Sequence, residues 1–151
     1  MSDIKSSVSI VIPHWNNLDV LSECLGSILN TDLENWEARV VDNASADNSV
    51  ASVRSNYPNV KLIENDKNYG YAGGCNIGAE AASGDFLIFL NNDTVQEKDW
   101  ISNLIKTINS DDKIAAVQPK ILNYYDRNVF DYAGGSGGHM DIYCFLSLIH
   151  I

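Results

Sequence analysis

Two hydrophobic rhythms alternate along the first 120 residues. Short apolar runs rich in β-branched and aromatic residues occur at Val8-Ser9-Ile10-Val11-Ile12-Pro13, Trp36 to Asp42, Val60 to Ile63, Phe86 to Leu90 and Ile114 to Pro119. Each is bounded by turn formers, which predicts strands. Between them apolar residues recur at helical spacing: Leu18, Leu21, Leu25, Ile28 and Leu29 share one face, and Trp100, Ile101, Leu104, Ile105 and Ile108 share another. Val50 and Val53 mark a shorter helix, broken by Tyr57-Pro58-Asn59. A small-residue helix is expected from about Ala72 to Ala82, carrying Gly73, Gly74 and Gly78. Glycine weakens a helix by roughly 1 kcal/mol against alanine. The compensation expected here is close approach of the backbone to a ligand or a neighbouring element. Asn17 is placed to cap the first helix, and Thr94-Val95-Gln96-Glu97 has capping-box spacing. Phe86-Leu87-Ile88-Phe89-Leu90 is unbroken, as expected of a central strand buried on both faces. The order β-α-β-α-β-α-β-α-β predicts an α/β, Rossmann-like domain: a mostly parallel sheet with helices on both faces, built from right-handed crossovers.

Composition narrows the function classes. The chain has 151 residues, about one domain, and its 45% hydrophobic and 20% charged content predicts a folded core. Ten Lys and Arg against twenty Asp and Glu give a net charge of −10. That balance argues against nucleic acid as a partner, because phosphate contacts need clustered cations. Cys24, Cys75 and Cys144 are far apart and lack CxxC spacing, so neither a zinc site nor a disulfide framework is expected. Reduced thiols and a cytoplasmic setting follow. The opening MSDIKSS does not read as a signal peptide, and no apolar run approaches the roughly 20 residues of a membrane span. Peripheral association at the inner face of a membrane, through regions outside this chain, is compatible with these features.

Residues 1–143 read as one incomplete domain. The stretch from Tyr124 to Tyr143, with Gly134-Gly135-Ser136-Gly137-Gly138, reads as a mobile loop or turn cluster. The apolar 144–151 ends without a cap or turn. It reads as a truncation point or a tail foreign to the native protein, with a short final strand as the alternative.

Polar clusters follow the strands at the edge where open α/β sheets bind ligands. They are Pro13-His14-Trp15-Asn16, Asp42-Asn43-Ala44-Ser45, Asn68-Tyr69-Gly70 and Asn91-Asn92-Asp93. Asp42 suits a base N–H or a ribose hydroxyl; helix capping is its alternative role. Asp93 suits a hard divalent cation, which is commonly held by one or two carboxylates together with substrate phosphates. An ordinary turn aspartate is the alternative. Asn91 and Asn92 offer neutral oxygens or hydrogen bonds to sugar hydroxyls. Trp15 is a candidate to stack on a base, although packing is the commoner use. His139 and His150 are isolated, and no nucleophile elbow occurs. A dinucleotide fingerprint would need GxGxxG after the first strand, where the chain reads PHWNN; a GxxxxGK[ST] loop is also absent. A nicotinamide-dependent oxidoreductase is therefore the weakest of the nucleotide-fold readings.

The order and spacing of these clusters, with Val41-Asp42-Asn43-Ala44-Ser45-Ala46-Asp47-Asn48-Ser49, Asn68-Tyr69-Gly70-Tyr71-Ala72-Gly73-Gly74-Cys75-Asn76-Ile77-Gly78 and Phe89-Leu90-Asn91-Asn92-Asp93-Thr94, resemble the inverting family-two glycosyltransferases of the GT-A fold, nearest the rhamnosyltransferase-like branch. The resemblance covers about residues 6–143, including Asp131-Tyr132-Ala133-Gly134. It implies a nucleotide-sugar-binding domain truncated after its donor-binding half. Pro13, His14, Trp15, Asn16, Asp42 and Asn43 would hold the nucleoside. Asn68, Gly70 and Gly73 would line the donor pocket, with Asn91 and Asn92 beside them. Asp93 would carry Mg²⁺ or Mn²⁺ in a DXD-like motif whose first position is Asn91 rather than aspartate. The family's general base lies on the acceptor side, expected beyond Ile151. The implied reaction moves a sugar from a UDP- or dTDP-sugar to a glycan or lipid-linked acceptor hydroxyl, in polysaccharide or glycan assembly. A non-catalytic nucleotide-binding module of the same architecture is the alternative.

Overall fold

The computed structural model describes residues 6–131 and the backbone of two short strands, Gly138–Met140 and Leu146–Leu148. The chain forms two compact units, Met1–Ile114 and Ala115–Ile151.

The first unit runs β1 (Val8–His14), α1 (Leu18–Ile28), β2 (Trp36–Asp42), α2 (Ser49–Asn56), β3 (Lys61–Glu64), α3 (Gly70–Ala81), β4 (Phe86–Phe89) and α4 (Trp100–Ile108). The four strands are parallel in the order β3-β2-β1-β4. Strand β1 is buried along its whole length. Its register with β2 puts Val8, Ile10 and Ile12 beside Trp36, Ala38 and Val40 on one face. That face packs on Leu21, Cys24, Leu25 and Ile28 of α1, Val53 of α2, and Ile101 and Ile105 of α4. The alternate residues Val11 and Val41 meet α3 on the opposite face. A methyl group added at Gly78 would lie 2.2 Å from Val11 Cγ1 and 3.0 Å from Val41 Cγ2. The cost of a helical glycine is thus offset by backbone-to-sheet packing at this position.

The alternating α/β order holds, but several local expectations do not. Strand β4 is an edge of this sheet rather than its centre. Phe86 and Ile88 join the core, whereas Leu87 and Phe89 are 44% and 49% exposed. The latter two share the α3 face, where α3 packs over β1 and β2. Ile114 to Pro119 forms no strand. The capping box does not form: α4 starts at Trp100, while Thr94 Oγ donates to the Asn91 carbonyl and accepts from Gln96 Nε2. Asn17 sits at the N-cap position of α1 in a left-handed conformation without a side-chain cap bond. The Leu18 N–H is instead taken by Asp47 Oδ2 at 3.1 Å.

In the second unit, Leu122 and Phe130 form an isolated antiparallel bridge around a turn in which Asn123 Oδ1 accepts the N–H groups of Tyr125 and Asp126. Strands β5 (Gly138–Met140) and β6 (Leu146–Leu148) pair antiparallel. A short strand thus forms within the apolar terminal stretch. Most of the glycine cluster at 134–138 lies outside the described residues. Among the described residues, no helix is long and apolar enough to cross a membrane.

Candidate functional site

The carboxyl ends of β1, β2 and β4 carry three of the polar clusters, and the loop after β3 carries the fourth. Hydrogen bonding runs on past the strand ends: Asn43 N–H donates to the His14 carbonyl (2.8 Å), Asn65 N–H to that of Asp42 (2.9 Å) and Leu90 N–H to that of Val11 (2.9 Å). The loops after β1 and β2 are stitched reciprocally. Asn16 N–H donates to Ser45 Oγ (2.8 Å), and Ala46 N–H donates to Asn16 Oδ1 (2.8 Å). Asn16, Asn17 and Ala44 all have positive φ, at 57°, 67° and 59°. For a non-glycine residue that conformation costs about 1–2 kcal/mol, and such strain clusters where a loop must hold a shape for binding. Trp15 projects from this loop and is 58% exposed, so it is not a core residue.

Asp42 is buried at the base of this edge. Its Oδ2 accepts the Ser45 N–H at 3.0 Å, whereas Oδ1 is buried with no hydrogen-bond partner among the described residues. Buried polar atoms are nearly always paired, so an orphaned acceptor points to a missing donor. Asn43 is used by the protein itself: Oδ1 accepts from Asn65 Nδ2 (2.9 Å) and the Tyr69 N–H (3.4 Å), and Nδ2 donates to the Gly70 carbonyl (3.3 Å). It therefore fixes the start of α3 against the end of β2. Asn68 Oδ1 accepts the N–H of Gly70, whose φ of +73° suits glycine. Gly73 and Gly74 lie in the first turns of α3. A methyl group at Gly73 would meet Tyr69 Cβ at 2.7 Å, and one at Gly74 would meet Pro13 Cβ at 3.0 Å.

His14 is buried between two loops. Its Nε2 lies 2.9 Å from Ser49 Oγ, and its Nδ1 lies 2.9 Å from Asn92 Nδ2. Burial lowers its pKa, outweighing the opposing charges of Asp42 and Asp47, and this favours the neutral ring. Burial alone would raise Asp47. The Ser49 hydroxyl and the N–H groups of Ser49 and Leu18 outweigh it and hold Asp47 below the usual carboxylate range.

The loop that carries Asp93 is tied down on all sides. Thr94 Oγ donates to the Asn91 carbonyl at 2.8 Å, with Cys24 Sγ at 3.7 Å from the same oxygen. Asn92 is held by His14, and Gln96 N–H donates to Ser27 Oγ on α1 (3.1 Å). Burial pushes the Cys24 thiol up to about 11; Thr94 opposes the shift and the Asp93 charge adds to it. Tyr71, in the first turn of α3, is also raised, first by burial, then by Cys75 and by the charge of Asp93. The exposed Asp93 carboxylate is thus carried on a braced loop, and its charge is felt by Cys24 of α1 and Tyr71 of α3. No group of three or more His, Cys, Asp and Glu suited to a metal occurs among the described residues. A cation here would need most of its ligands from phosphate oxygens and water, which is the ordinary situation for Mg²⁺. The residues present fit that case.

Sequence reasoning quoted Asp47, Ser49 and Tyr71 only as members of longer motif stretches and gave none of them a role of its own. Asp47 bonds Leu18 and Ser49 contacts His14, 29 and 35 positions away, and Tyr71 feels the charge of Asp93, none of which local patterning registers. His139 lies in β5 opposite Ser147, in the second unit.

Comparison with known proteins bears on the family and the fold. The profile of glycosyl transferase family 2 matches residues 9–138. The Escherichia coli protein named UDP-Glc:alpha-D-GlcNAc-diphosphoundecaprenol beta-1,3-glucosyltransferase WfgD is 34% identical over 100 residues, covering 66% of this chain and 38% of that protein. The poly(ribitol-phosphate) beta-glucosyltransferase of Bacillus spizizenii is 36% identical over 92 residues, covering 57% of this chain and 14% of that protein. The chain thus spans well under half the length of these relatives. Among solved structures, the mannosyltransferase PcManGT of Pyrobaculum calidifontis, in complex with GDP-Man and Mn²⁺, superposes with a TM-score of 0.64 at 23% identity, over 77% of this chain and 34% of that one. Residues 1–349 of TarS from S. aureus, in complex with UDP-GlcNAc, superpose with a TM-score of 0.62 at 21% identity, over 78% of this chain and 38% of that one. At these identities the likeness shows the fold.

Proposed function

This chain belongs to glycosyl transferase family 2, and from that premise we propose that it is the donor-binding part of an inverting enzyme that transfers a sugar from a nucleoside diphosphate to an acceptor hydroxyl. The observation that carries the reading is the buried, unpartnered Oδ1 of Asp42 at the carboxyl edge of the sheet. A base N–H or ribose hydroxyl of a UDP- or dTDP-sugar supplies the missing donor. Trp15, in the adjoining loop after β1, offers an exposed aromatic face. Pro13, His14, Asn16 and Asn43 shape the nucleoside pocket, and Asn68, Gly70 and Gly73 form its wall at the start of α3. Asn91 and Asn92 meet the sugar end.

Asp93 would hold Mg²⁺ or Mn²⁺ together with the donor's diphosphate. When bound, the cation stabilises the negative charge that accumulates on the departing nucleoside diphosphate. The chain's own part is to position: the braced loop sets Asp93 at a fixed place, and the stitched loops after β1 and β2 set the nucleoside. An acceptor hydroxyl must also lose its proton to a general base. No residue of this chain is assigned that role. The lipid-linked substrate in the name of the Escherichia coli relative supports a glycan or lipid-linked acceptor, and with it a cytoplasmic location at the inner face of a membrane.

Isothermal titration of the chain with UDP-glucose and dTDP-glucose, in MnCl₂ and then in EDTA, tests the proposal. Binding is expected for at least one donor, weakened at least 10-fold by chelation, with Asp93→Ala insensitive to chelator. Binding indifferent to both chelator and Asp93→Ala would remove the metal role. Transfer measured with the chain alone would show that the base lies within it. Donor binding without transfer in the longer protein would favour the non-catalytic module.

A further inference from the structure

A relay of hydrogen bonds joins α1 to the loop that carries Asp93. Ser27 Oγ, in the last turn of α1, donates to Gln96 Oε1 at 2.7 Å, sharing its proton with the Cys24 carbonyl at 2.8 Å, and accepts the Gln96 N–H at 3.1 Å. Gln96 Nε2 donates to Thr94 Oγ at 2.7 Å, and Thr94 Oγ donates to the Asn91 carbonyl at 2.8 Å. We infer that Gln96 and Thr94 are positioning residues: through this relay they hold the turn 91–94 in one conformation, and the affinity of Asp93 for its cation depends on them. The cation half of the inference rests on the donor-binding reading above; the bracing of Asp93 does not.

The need for such a relay follows from how few ligands the protein supplies. A cage of several side chains fixes an ion by their mutual geometry. A single carboxylate fixes it only as well as its own backbone is fixed, because every turn conformation that points the carboxylate elsewhere is a competing state that binding must suppress. The ties fall on both sides of Asp93. Before it, Asn92 Nδ2 lies 2.9 Å from His14 Nδ1. After it, the Thr94 hydroxyl reaches back three residues to the Asn91 carbonyl and closes the turn. Gln96 then carries the load from Thr94 to Ser27, whose neighbour Ile28 is buried in the core. The three linking side chains are half-buried, so water competes less for their bonds than it would at an open surface. The capping box that the sequence predicts is thus replaced: Thr94 and Gln96 are used to close and anchor this turn rather than to start α4. Partners that orient a metal ligand in this way act on metal affinity without touching the ion.

Backbone ¹⁵N relaxation of the metal-free chain reads the bracing. The Asp93 amide is expected to be rigid, with an order parameter of about 0.85, and to fall to about 0.6 or below in Thr94→Val and in Gln96→Met. Thr94→Val keeps the branched shape and loses the hydroxyl. Thr94→Ser keeps the hydroxyl and is expected to restore the unaltered value. Calorimetry with UDP, in MnCl₂ and in EDTA, reads the cation half. The ratio of the two affinities is expected to drop about 5-fold in Thr94→Val and in Gln96→Met, the worth of one hydrogen bond, with affinity in EDTA held within about 2-fold and the ratio restored in Thr94→Ser. An Asp93 order parameter unchanged in Thr94→Val and Gln96→Met overturns the inference. So does an equal loss of UDP affinity in MnCl₂ and in EDTA, which marks a purely structural role, or a ratio that Thr94→Ser fails to restore. If the unaltered chain binds no UDP, or binds it equally in MnCl₂ and EDTA, the proposed donor or cation role falls and the cation half falls with it, while the relaxation data still decide whether the relay holds Asp93.

Discussion

Replacing Glu37 by glutamine should unfasten the sheet at the edge opposite the candidate site. Glu37 Oε1 accepts from Ser9 Oγ (2.7 Å), Arg39 Nε (3.0 Å), Arg39 Nη2 (2.8 Å), and Ser83 N–H and Oγ (3.3 and 3.2 Å); Oε2 takes Lys61 Nζ at 2.6 Å. One carboxylate thus joins the first halves of β1 and β2, the start of β3, and the turn before β4. Burial alone would raise its pKa, but the bonds from Lys61, Ser9, Arg39 and Ser83 outweigh it and hold the group at about 2, against 4.5 for the free side chain. That difference converts to about 3 kcal/mol at 1.36 kcal/mol per unit. Lys61 is 55% exposed and contributes little through solvent, whereas the side chains of Arg39 and Glu37 are 9% and 19% exposed. About 2 kcal/mol is the more defensible figure. Because the folded pKa is depressed, this stability is fully present above about pH 4.5 and is lost as pH falls toward about 2. Urea unfolding followed by tryptophan fluorescence at pH 7, and in steps down to about pH 2.5, measures it. Glu37→Gln should lose about 2 kcal/mol at pH 7, with the gap closing as pH falls; subtracting the two proteins removes the contribution of the other carboxylates. A gap below about 0.5 kcal/mol at pH 7, or one independent of pH, would refute the reasoning.

Two further outcomes follow from packing and from the orphaned acceptor. Gly78→Ala should cost at least about 2 kcal/mol in the same unfolding assay, because its methyl group would collide with Val11 and Val41 on well-packed strands. Asp42→Asn should weaken UDP-sugar binding about 10-fold or more in calorimetry, the loss expected for a hydrogen bond to a charged group, while thermal unfolding changes little. Unaltered affinity in that variant would leave the buried Oδ1 without a ligand to explain it.

Much of this protein is fixed by patterns a few residues long. Alternation of apolar runs with helical spacing places β1 to β4 and α1 to α4 within a few residues. It also puts Asp42 and Asp93 at strand ends, because backbone geometry makes side-chain periodicity a local property. Which strand lies at an edge is not local. Phe86 to Leu90 has the composition of a central strand, yet β4 is terminal in this sheet and α3 packs elsewhere. Ile114 to Pro119 has a strand-like sequence but no ladder, since a strand exists only where a partner offers hydrogen bonds. The same limit applies at the site. Asn43 and Asn92 are both amides after strands, and nothing near either in the chain distinguishes them. The fold commits Asn43 to Asn65, Tyr69 and Gly70, and holds Asn92 by one end on His14. Local sequence determined which groups reach the ligand edge; tertiary contact decided which were spent on the scaffold, because a hydrogen bond satisfied by a distant loop leaves no trace in the neighbouring residues.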